Sequence, residues 1–433
     1  MHSQLLVKHL CLAGSILLFS SIRGYAQNID QPDTLRLTCK QTEERFLANN
    51  LQLLAKHYDV QADSALIRQA RLWDNPNLNT DQNVYSNNGF FRHGEDANGN
   101  GLGQYFIQIE QLIRTAGKRG KQINMAVTNA NITQWQFYDL MRNLKYQLRT
   151  DFYTIIQLES NARLYARQIV QLDKLIGGMD AQFKAGNVAR KDLLRVQALR
   201  VNTDLEMTEN ARKLADVQSE LRTLLRVSDD TYIAPVANVA TLSDLPADNI
   251  ESLIGTARNA NSAYQLQQLQ VLYGKQNLAY QKALAVPDVT VAPNFDRNSN
   301  YVANYFGLGI SFPLPVFNRN QGNIKSAQLG IKREETTLQQ TDLELQNKVR
   351  NAYRKLLITM NLNSDKQKEF YSNYSQLYNN VVESYNNRQI SLLEFIDYFN
   401  DYEEVREKQL LQELNIRLAK EELNYQVGAD VVQ

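Results

Sequence analysis

The distribution of proline limits what this chain can fold into more than any other feature of its sequence. The chain has 433 residues and 8 prolines, at positions 32, 76, 235, 246, 287, 293, 313 and 315. Residues 77–234 and 316–433 therefore contain none, and proline is the residue that breaks helices most strongly. Both blocks leave room for helices much longer than those of ordinary globular domains.

Apolar residues in the first proline-free block recur every three or four positions. They are Phe137, Met141, Leu144, Leu148, Phe152, Ile155, Leu158, Ala162, Tyr165, Ile169, Leu172 and Ile176. This spacing predicts a long helix packed side by side with others. A helix over 118–184 would be about 100 Å long, and the pair Gly177-Gly178 is a candidate kink. An elongated helical assembly is therefore expected.

Segments between the helical blocks alternate apolar and polar residues with a period of two. Phe306, Leu308 and Ile310 alternate with Gly307 and Gly309, which is typical of a strand. Strands are expected near 77–85, 103–112, 288–296 and 304–313. One apolar face suits either a half-buried soluble sheet or strands between lipid and water. Pro293 is awkward in both cases, because proline belongs at bulges or edge strands.

The two halves of the chain repeat one another. Residues 183–194 align with 385–396 at an offset of 202, and each half is predicted to be helix, strand, loop, strand, long helix, tight turn, helix. The first repeat is expected at 27–227, with a helical tip near 184–191. A linker follows at 228–258. The second repeat is expected at 259–433, with a tip near 386–393.

Residues 1–26 predict a secretory signal peptide. Lys8 precedes an apolar run that ends at Phe19, and Gly24-Tyr25-Ala26 supplies small residues before a cleavage site. A lipid anchor is not expected, because Cys11 lies at the front of the apolar run and Cys39 lies far beyond it.

The mature chain would have 45 basic and 46 acidic residues, one cysteine and two histidines. This composition excludes an internal disulfide and a Cys/His zinc cluster, and the near-neutral charge argues against nucleic-acid binding. No nucleophile with a histidine partner and no phosphate loop occurs in the sequence. We therefore predict no enzymatic activity, no cofactor and no metal site.

The number of strands limits how they could cross a membrane. Four strands per chain cannot close a barrel, and an open sheet edge is not tolerated in lipid. Because the smallest bacterial barrels need about eight strands, several chains would have to share one barrel. The strand count does not choose between two and three copies.

Three motifs make the chain resemble the TolC family of outer-membrane channel proteins, the outer membrane factors, over essentially its whole mature length. They are the turn Phe183…Gly186…Val188…Asp192, the turn Tyr385…Ile390…Glu394…Asp397 and the tripeptide Gly117-Lys118-Arg119. The tripeptide looks most like the heavy-metal (CzcC/CusC-like) branch. The chain departs from the family at Arg388, where glycine is usual, and lacks the N-terminal cysteine of lipidated members.

The resemblance implies a mainly α fold with a β-barrel portion. It implies a homotrimer with a shared twelve-stranded barrel in the outer membrane of a Gram-negative bacterium and a long α-helical tunnel in the periplasm. The expected function is a passive export duct for heavy-metal cations or drugs in a tripartite efflux system. Its partners would be a periplasmic adaptor, an inner-membrane pump of the RND type and outer-membrane lipid. The alternatives are a type I protein secretion channel and a periplasmic coiled-coil structural or adaptor protein.

The resemblance also implies a gate of acidic residues. Glu394 and Asp397 share one helix face and match acids that ring the periplasmic entrance of the tunnel, with Asp192 as an outer member. Such a ring favours cations, and crowding is expected to raise some of its pKa values. Arg388, Arg195 and Tyr385 are expected partners of Glu394 and Asp397, within reach of the same tip region.

The two turns would then be the tips of the tunnel, where the adaptor docks. The residues that match this docking surface are Gly186, Asn187, Val188, Arg388, Gln389 and Ile390. Other charge runs, such as Glu403-Glu404, are expected to be solvated helix faces.

Overall fold

The computed structural model describes residues 33–86, 89–91, 94–95, 97–99, 101–236, 249–298 and 302–432, so the predicted signal peptide lies outside the described residues. The helices are α1 (Cys39–Asn49), α2 (Leu51–Ala70), α3 (Lys118–Lys184), α4 (Arg190–Leu225), α5 (Ile250–Ala260), α6 (Ser262–Leu284), α7 (Gln321–Asn361), α8 (Asp365–Asn386) and α9 (Leu392–Val427). The strands are β1 (Thr34–Leu37), β2 (Asn77–Gln82), β3 (Tyr85–Ser86), β4 (Gly89–Phe90), β5 (Gly94–Glu95), β6 (Gly101–Leu102), β7 (Tyr105–Ile113), β8 (Tyr232–Pro235), β9 (Val289–Asn298) and β10 (Ala303–Ser311).

Helix α3 is a single helix of 67 residues. It begins after Gly117, whose φ of 66° is left-handed, and it runs through Gly177 and Gly178 without a break. The candidate kink therefore does not interrupt the helix. Leu148, Ile155 and Leu172 are fully buried along it, because an apolar seam of this spacing stays on one face of the rod.

Strands β10, β9, β7 and β2 form one antiparallel sheet in that order. The pairing register gives it an apolar and a polar face. The apolar face carries Leu78, Ile107, Ile109, Val291, Phe295, Phe306, Leu308 and Ile310; the polar face carries Asn79, Gln108, Glu110, Asn294, Asp296, Gly307 and Gly309. Phe306 is 78% exposed and Leu308 65%, so the described residues leave the apolar face uncovered.

Pro293 lies in β9, which has a neighbour on both sides. It pairs with Leu308 of β10, but the pairing of β9 with β7 runs from Phe106 to Gln108 and resumes only at Gln111. The ladder is interrupted opposite Pro293 because proline has no backbone N–H to donate. An interior strand thus tolerates this proline at the cost of local pairing.

The helices next to the sheet repeat its order. Helix α2 leads into β2, β7 into α3, α6 into β9 and β10 into α7. Helix α2 packs on α3, α3 on α6 and α6 on α7. Sheet and helical layer therefore end at the same two edges, one formed by β2 and α2 and the other by β10 and α7. The remaining long helices continue the wall, with α4 packed on α3, α3 on α9 and α9 on α8.

Away from the sheet, a further packed region lies midway along the long helices. Strand β1 pairs in parallel with β8, so the predicted linker contains a strand and the start of α5, while its residues 237–248 lie outside the described part. The C-terminal residues fold back here. The side-chain Oδ1 of Asn424 accepts from the amides of Val431 and Val432 at 2.8 and 2.9 Å, and its Nδ2 donates to the carbonyl of Val432 at 2.8 Å.

None of the helices within the described residues is long and apolar enough to cross a membrane.

Candidate functional site: the helical corners and the interface between the hairpins

The two helical corners have the same hydrogen bonds. At the first, the amide of Gly186 donates to the carbonyl of Phe183 at 2.9 Å, and that of Asn187 donates to Gln182 at 2.9 Å. At the second, the amide of Arg388 donates to Tyr385 at 3.0 Å, and that of Gln389 donates to Ser384 at 2.8 Å. Every donor and acceptor is shifted by the repeat offset. Both corners are Schellman-type helix ends, in which a left-handed residue satisfies the last carbonyls.

Arg388 occupies the left-handed position that Gly186 occupies in the first corner. The φ angles are 58° for Arg388 and 79° for Gly186. A Cβ atom added at Gly186 would meet nothing within 4 Å, so the backbone angle, not lack of space, favours glycine there. An L-residue in this conformation lowers stability by roughly 1–2 kcal/mol. At the second corner Arg388 carries this cost.

Val188 and Ile390 attach both corners to one apolar cluster, which we call the tip cluster. Its buried members are Leu172, Met179, Leu193, Val196, Leu199, Val381, Phe395 and Phe399, from α3, α4, α8 and α9. Val188 and Ile390 pack against it, while Asn187 and Gln389 are exposed. The cluster holds both corners at the same end of the long helices. Each corner exposes a polar residue to solvent.

A groove of about 290 Å³ lies beside the tip cluster, between α3 and the end of α8. Its lining includes Gly178, Met179, Tyr385, Arg388 and Ile390. Two of the predicted docking residues therefore line a real concavity. Its lining combines apolar side chains with the guanidinium of Arg388.

Glu394 has a local structural role that the sequence analysis missed. Ser391 is the N-cap of α9, its hydroxyl accepts from the amide of Glu394 at 3.2 Å, and the carboxylate of Glu394 accepts from the amide of Ser391 at 2.7 Å. This is a capping box. Hydrogen bonds from the Ser391 backbone and then its side chain lower the pKa of Glu394. Within one chain the pKa of Glu394 therefore moves opposite to the expected rise.

Asp397 is exposed one turn after Glu394 on α9, whereas Asp192 is half-buried in the first turn of α4. The described contacts of one chain do not bring Asp192 together with the other two acids. Burial, and then the charge of Asp192, raise the pKa of Tyr385. This electrostatic contact joins the α3–α4 hairpin to the α8–α9 hairpin. It involves Asp192 and not Glu394 or Asp397, the acids for which Tyr385 is an expected partner.

A second group of acids lies beyond the tip cluster, where the hairpins still face each other. Carboxylate oxygens of Glu206 on α4 and of Glu403 and Glu407 on α9 all lie within 4.8 Å of one another. The hydroxyl of Tyr165 on α3 donates to Glu407. We call these three glutamates the acid cluster. Oxygen donors at this spacing suit a hard cation or a shared proton.

Burial, and then contact with Glu206, raise the pKa of Glu403 to about 8. The expectation that Glu403-Glu404 is a solvated face was therefore wrong for Glu403 and right for Glu404, which is exposed and pairs with Lys408. A signal existed in the sequence. Phe395, Phe399, Glu403 and Glu407 follow at intervals of four, so the glutamates continue the buried stripe of α9.

Replacing Glu403 by glutamine is expected to flatten the pH dependence of stability. The ordinary pKa of the glutamate is 4.5 and the folded value is about 8. Folding therefore favours protonation, so the stabilisation is full below pH 4.5 and is lost as pH rises through 8. The midpoint temperature of thermal unfolding of the parent should fall as pH rises from 5 to 9. The midpoint of Glu403→Gln should fall much less.

Glu404→Gln is the matched control for this experiment, because Glu404 is the exposed neighbour of Glu403. It should keep the pH dependence of the parent. An unchanged pH dependence in Glu403→Gln would show that another group titrates.

Comparison with known proteins agrees with this architecture. Residues 44–225 match the family described as "Outer membrane efflux protein". The cobalt-zinc-cadmium resistance protein CzcC of Cupriavidus metallidurans is 23% identical over 281 residues, which are 64% of this chain and 63% of that protein. The match thus spans slightly less than two thirds of the relative's length.

Solved structures share the fold over nearly the whole chain. The structure of CusC has a TM-score of 0.72 with 14% identity and covers 90% of this chain and 92% of its own. The outer-membrane channel OprN has a TM-score of 0.74 with 12% identity and covers 90% of both chains. The chain is thus similar in sequence to the outer membrane efflux proteins over residues 44–225, and similar in fold to CusC and OprN over nearly its whole length. The predicted fold class is confirmed in that the chain is mainly α with a β portion and shares the fold of these channels.

Proposed function

We propose that three copies of this chain form a channel in the outer membrane of a Gram-negative bacterium, with the helical part in the periplasm. The observation that carries this proposal is the sheet, which exposes a continuous apolar face and passes each strand into a long helix. In this proposal residues 1–26 are removed on export, and the two repeats, 27–227 and 259–433, supply two long strands each.

Joining the two free edges of the wall closes the structure. Because one chain supplies four antiparallel strands, β2 of one copy meets β10 of the next in antiparallel order. Three copies give twelve strands, with the apolar face towards lipid and the polar face lining the lumen. A closed sheet leaves no backbone group unpaired in the membrane.

The corners are the proposed contact with a periplasmic adaptor. Gly186, Asn187, Arg388 and Gln389 are exposed at the tip, and Val188 and Ile390 fix their backbone to the tip cluster. The groove lined by Arg388 and Tyr385 offers apolar surface beside a fixed charge. A helical hairpin of the adaptor would fit there, and an inner-membrane pump of the RND type would complete the system.

The substrate class follows from the similarity to CzcC, whose name describes resistance to cobalt, zinc and cadmium. We propose divalent heavy-metal cations as the exported substrate. Drugs or secreted proteins are the alternatives. The acids at the entrance favour cations, since rings of carboxylates select them in pores.

Glu394 and Asp397 are the proposed gate residues, with Asp192 further out. The experiment is single-channel recording of the purified protein in planar bilayers, comparing the parent with Glu394→Gln/Asp397→Asn. These isosteres remove the charge and keep the capping box, which accepts Gln as well as Glu. The parent should conduct with cation selectivity and be blocked by divalent cations added from the tip side. The variant should lose most of both properties.

The matched control is Asp365→Asn/Glu369→Gln, which removes two exposed charges from α8. It should conduct, select and be blocked like the parent. A parent that never conducts and stays monomeric after extraction would favour the periplasmic structural alternative. If the gate variant conducts, selects and is blocked like the parent, Glu394 acts only as part of the helix cap.

A further inference from the structure

The boundary between sheet and helices is strongly basic, although the chain as a whole is nearly neutral. We call this boundary the collar and define it as residues 71–76, 113–121, 282–288 and 312–321, the four connections between strands and helices on that side of the sheet. It contains two acids, Asp74 and Asp288, and seven bases: Arg71, Arg114, Lys118, Arg119, Lys121, Lys282 and Arg319. The net charge of the collar is therefore +5 in each chain.

The two acids of the collar are already paired. Arg114 contacts Asp74 through two nitrogens, at 2.6 and 2.8 Å. Lys118, which is only 4% exposed, contacts Asp288 at 2.7 Å. These contacts also tie the connections together, because Lys118 donates to the carbonyl of Val286 at 2.6 Å.

Five bases of the collar form no ion pair among the described residues. Arg71, Lys282 and Arg319 are exposed, and Arg119 and Lys121 are half-buried. Arg119 and Lys121 donate to backbone carbonyls of Arg71 and Ala116, at 2.6 and 2.8 Å. Carbonyl groups leave the positive charge uncompensated, so the collar can attract an external anion.

Large apolar side chains are exposed at the same level. They are Leu72 (58%), Trp73 (65%), Val286 (45%), Leu314 (72%), Val316 (58%) and Phe317 (93%). The guanidinium of Arg119 lies 4.2 Å above the ring of Trp73, so an apolar surface and a cation share one position. Side chains of this mixed character concentrate where a bilayer changes from hydrocarbon to headgroups.

We propose that the collar binds anionic phospholipid headgroups at the periplasmic face of the outer membrane. The phosphates would contact Arg71, Lys282 and Arg319, while Trp73, Leu314 and Phe317 enter the boundary of the acyl chains. The collar would thereby fix how deep the channel sits. This inference rests on the proposed channel, because it needs the adjacent sheet to lie in the bilayer.

The geometry favours lipid over free phosphate. Arg71 is the C-cap of α2, Lys282 lies near the end of α6 and Arg319 lies on the connection before α7, so each of the three exposed bases belongs to a different connection. They are spread along the wall beside exposed apolar side chains, which a small inorganic anion would leave in water. A headgroup layer supplies both many phosphates and an apolar region next to them.

The test compares Arg71→Gln/Lys282→Gln/Arg319→Gln with the control Lys191→Gln/Lys332→Gln/Lys366→Gln, which removes three exposed charges outside the collar. Each protein is reconstituted with a mixture of phosphatidylcholine and phosphatidylglycerol. Native mass spectrometry then counts the lipids that stay bound after release from the membrane. Each removed collar base should lower the enrichment of phosphatidylglycerol about fivefold, and the control should retain the parent's enrichment. Equal enrichment in the two variants would overturn the proposal, as would its loss on adding inorganic phosphate.

A second readout tests membrane depth separately. The chain has two tryptophans, Trp73 and Trp135, so Trp135→Phe leaves Trp73 as the sole reporter. Brominated phosphatidylcholine should quench Trp73 fluorescence if the collar lies at the bilayer boundary. Without quenching, the proposed channel fails as well. Quenching with no preference for anionic lipid leaves the channel intact and rejects only the collar.

Discussion

Replacing Leu308 by arginine is expected to abolish assembly of the protein in the outer membrane. Leu308 is 65% exposed on the apolar face of β10, between Phe306 and Ile310. An arginine at the middle of a lipid-facing strand costs about 2–4 kcal/mol, and a trimer would bear this cost three times. Outer-membrane fractions should contain little or no heat-resistant oligomer, as measured by fractionation and unheated gel electrophoresis.

The control places the same side chain on the other face of the sheet. Gln108 lies on β7 and pairs with Asn294 on the polar face, so Gln108→Arg would project into the aqueous lumen. It should assemble with altered conductance. Equal assembly of Leu308→Arg and Gln108→Arg would mean that the apolar face does not meet lipid.

The face of each strand could be predicted from sequence because a strand has a period of two and needs no tertiary information. Phe306, Leu308 and Ile310 fall on one face whatever their neighbours are. The pairing of β9 with β7 could not be predicted in the same way. Pro293 argued against an interior strand, and only the observed register shows that one stretch of the ladder is left unpaired.

The two helical corners could also be predicted from the sequence, because the repeat contains the turn motif twice. Aligning 183–194 with 385–396 places Gly186 against Arg388, and the structure gives both residues the same left-handed backbone. The alignment could not show why the first position is glycine. Sequence comparison indicates a tight corner, whereas the structure shows open space around Gly186 and a constraint on φ alone.

The acid cluster could not be predicted because it depends on the register between hairpins. Glu206 and Glu403 are 197 positions apart, and each has exposed charged neighbours that suggest a solvated face. Which carboxylates meet is decided by how α4 and α9 align along the wall. Glu394 shows the opposite case, since Ser391 and Glu394 at a spacing of three are a local capping signal, which the family resemblance overshadowed.

Replacing Phe399 by alanine is expected to uncouple the two corners. Phe399 is fully buried in the tip cluster, with Phe395 on one side and Tyr378 on the other at ring distances of 6.1 and 6.2 Å. Removing such a side chain costs about 3–5 kcal/mol, here within a cluster of eight buried residues that joins both hairpins. Amide hydrogen exchange should accelerate in 175–200 and 378–400, while the sheet exchanges as in the parent.

Leu393→Ala is the matched control, because Leu393 lies on the same helix but is 56% exposed. Its effect on stability should stay within about 0.5 kcal/mol, and its exchange pattern should equal that of the parent. If the corners are the adaptor's docking surface, Phe399→Ala should also lose export in cells that keep a normal amount of trimer, since docking needs both corners held at one level. If Phe399→Ala exchanges faster but still exports fully, docking does not depend on the tip cluster. If its exchange is unchanged, contacts other than the tip cluster hold the corners together.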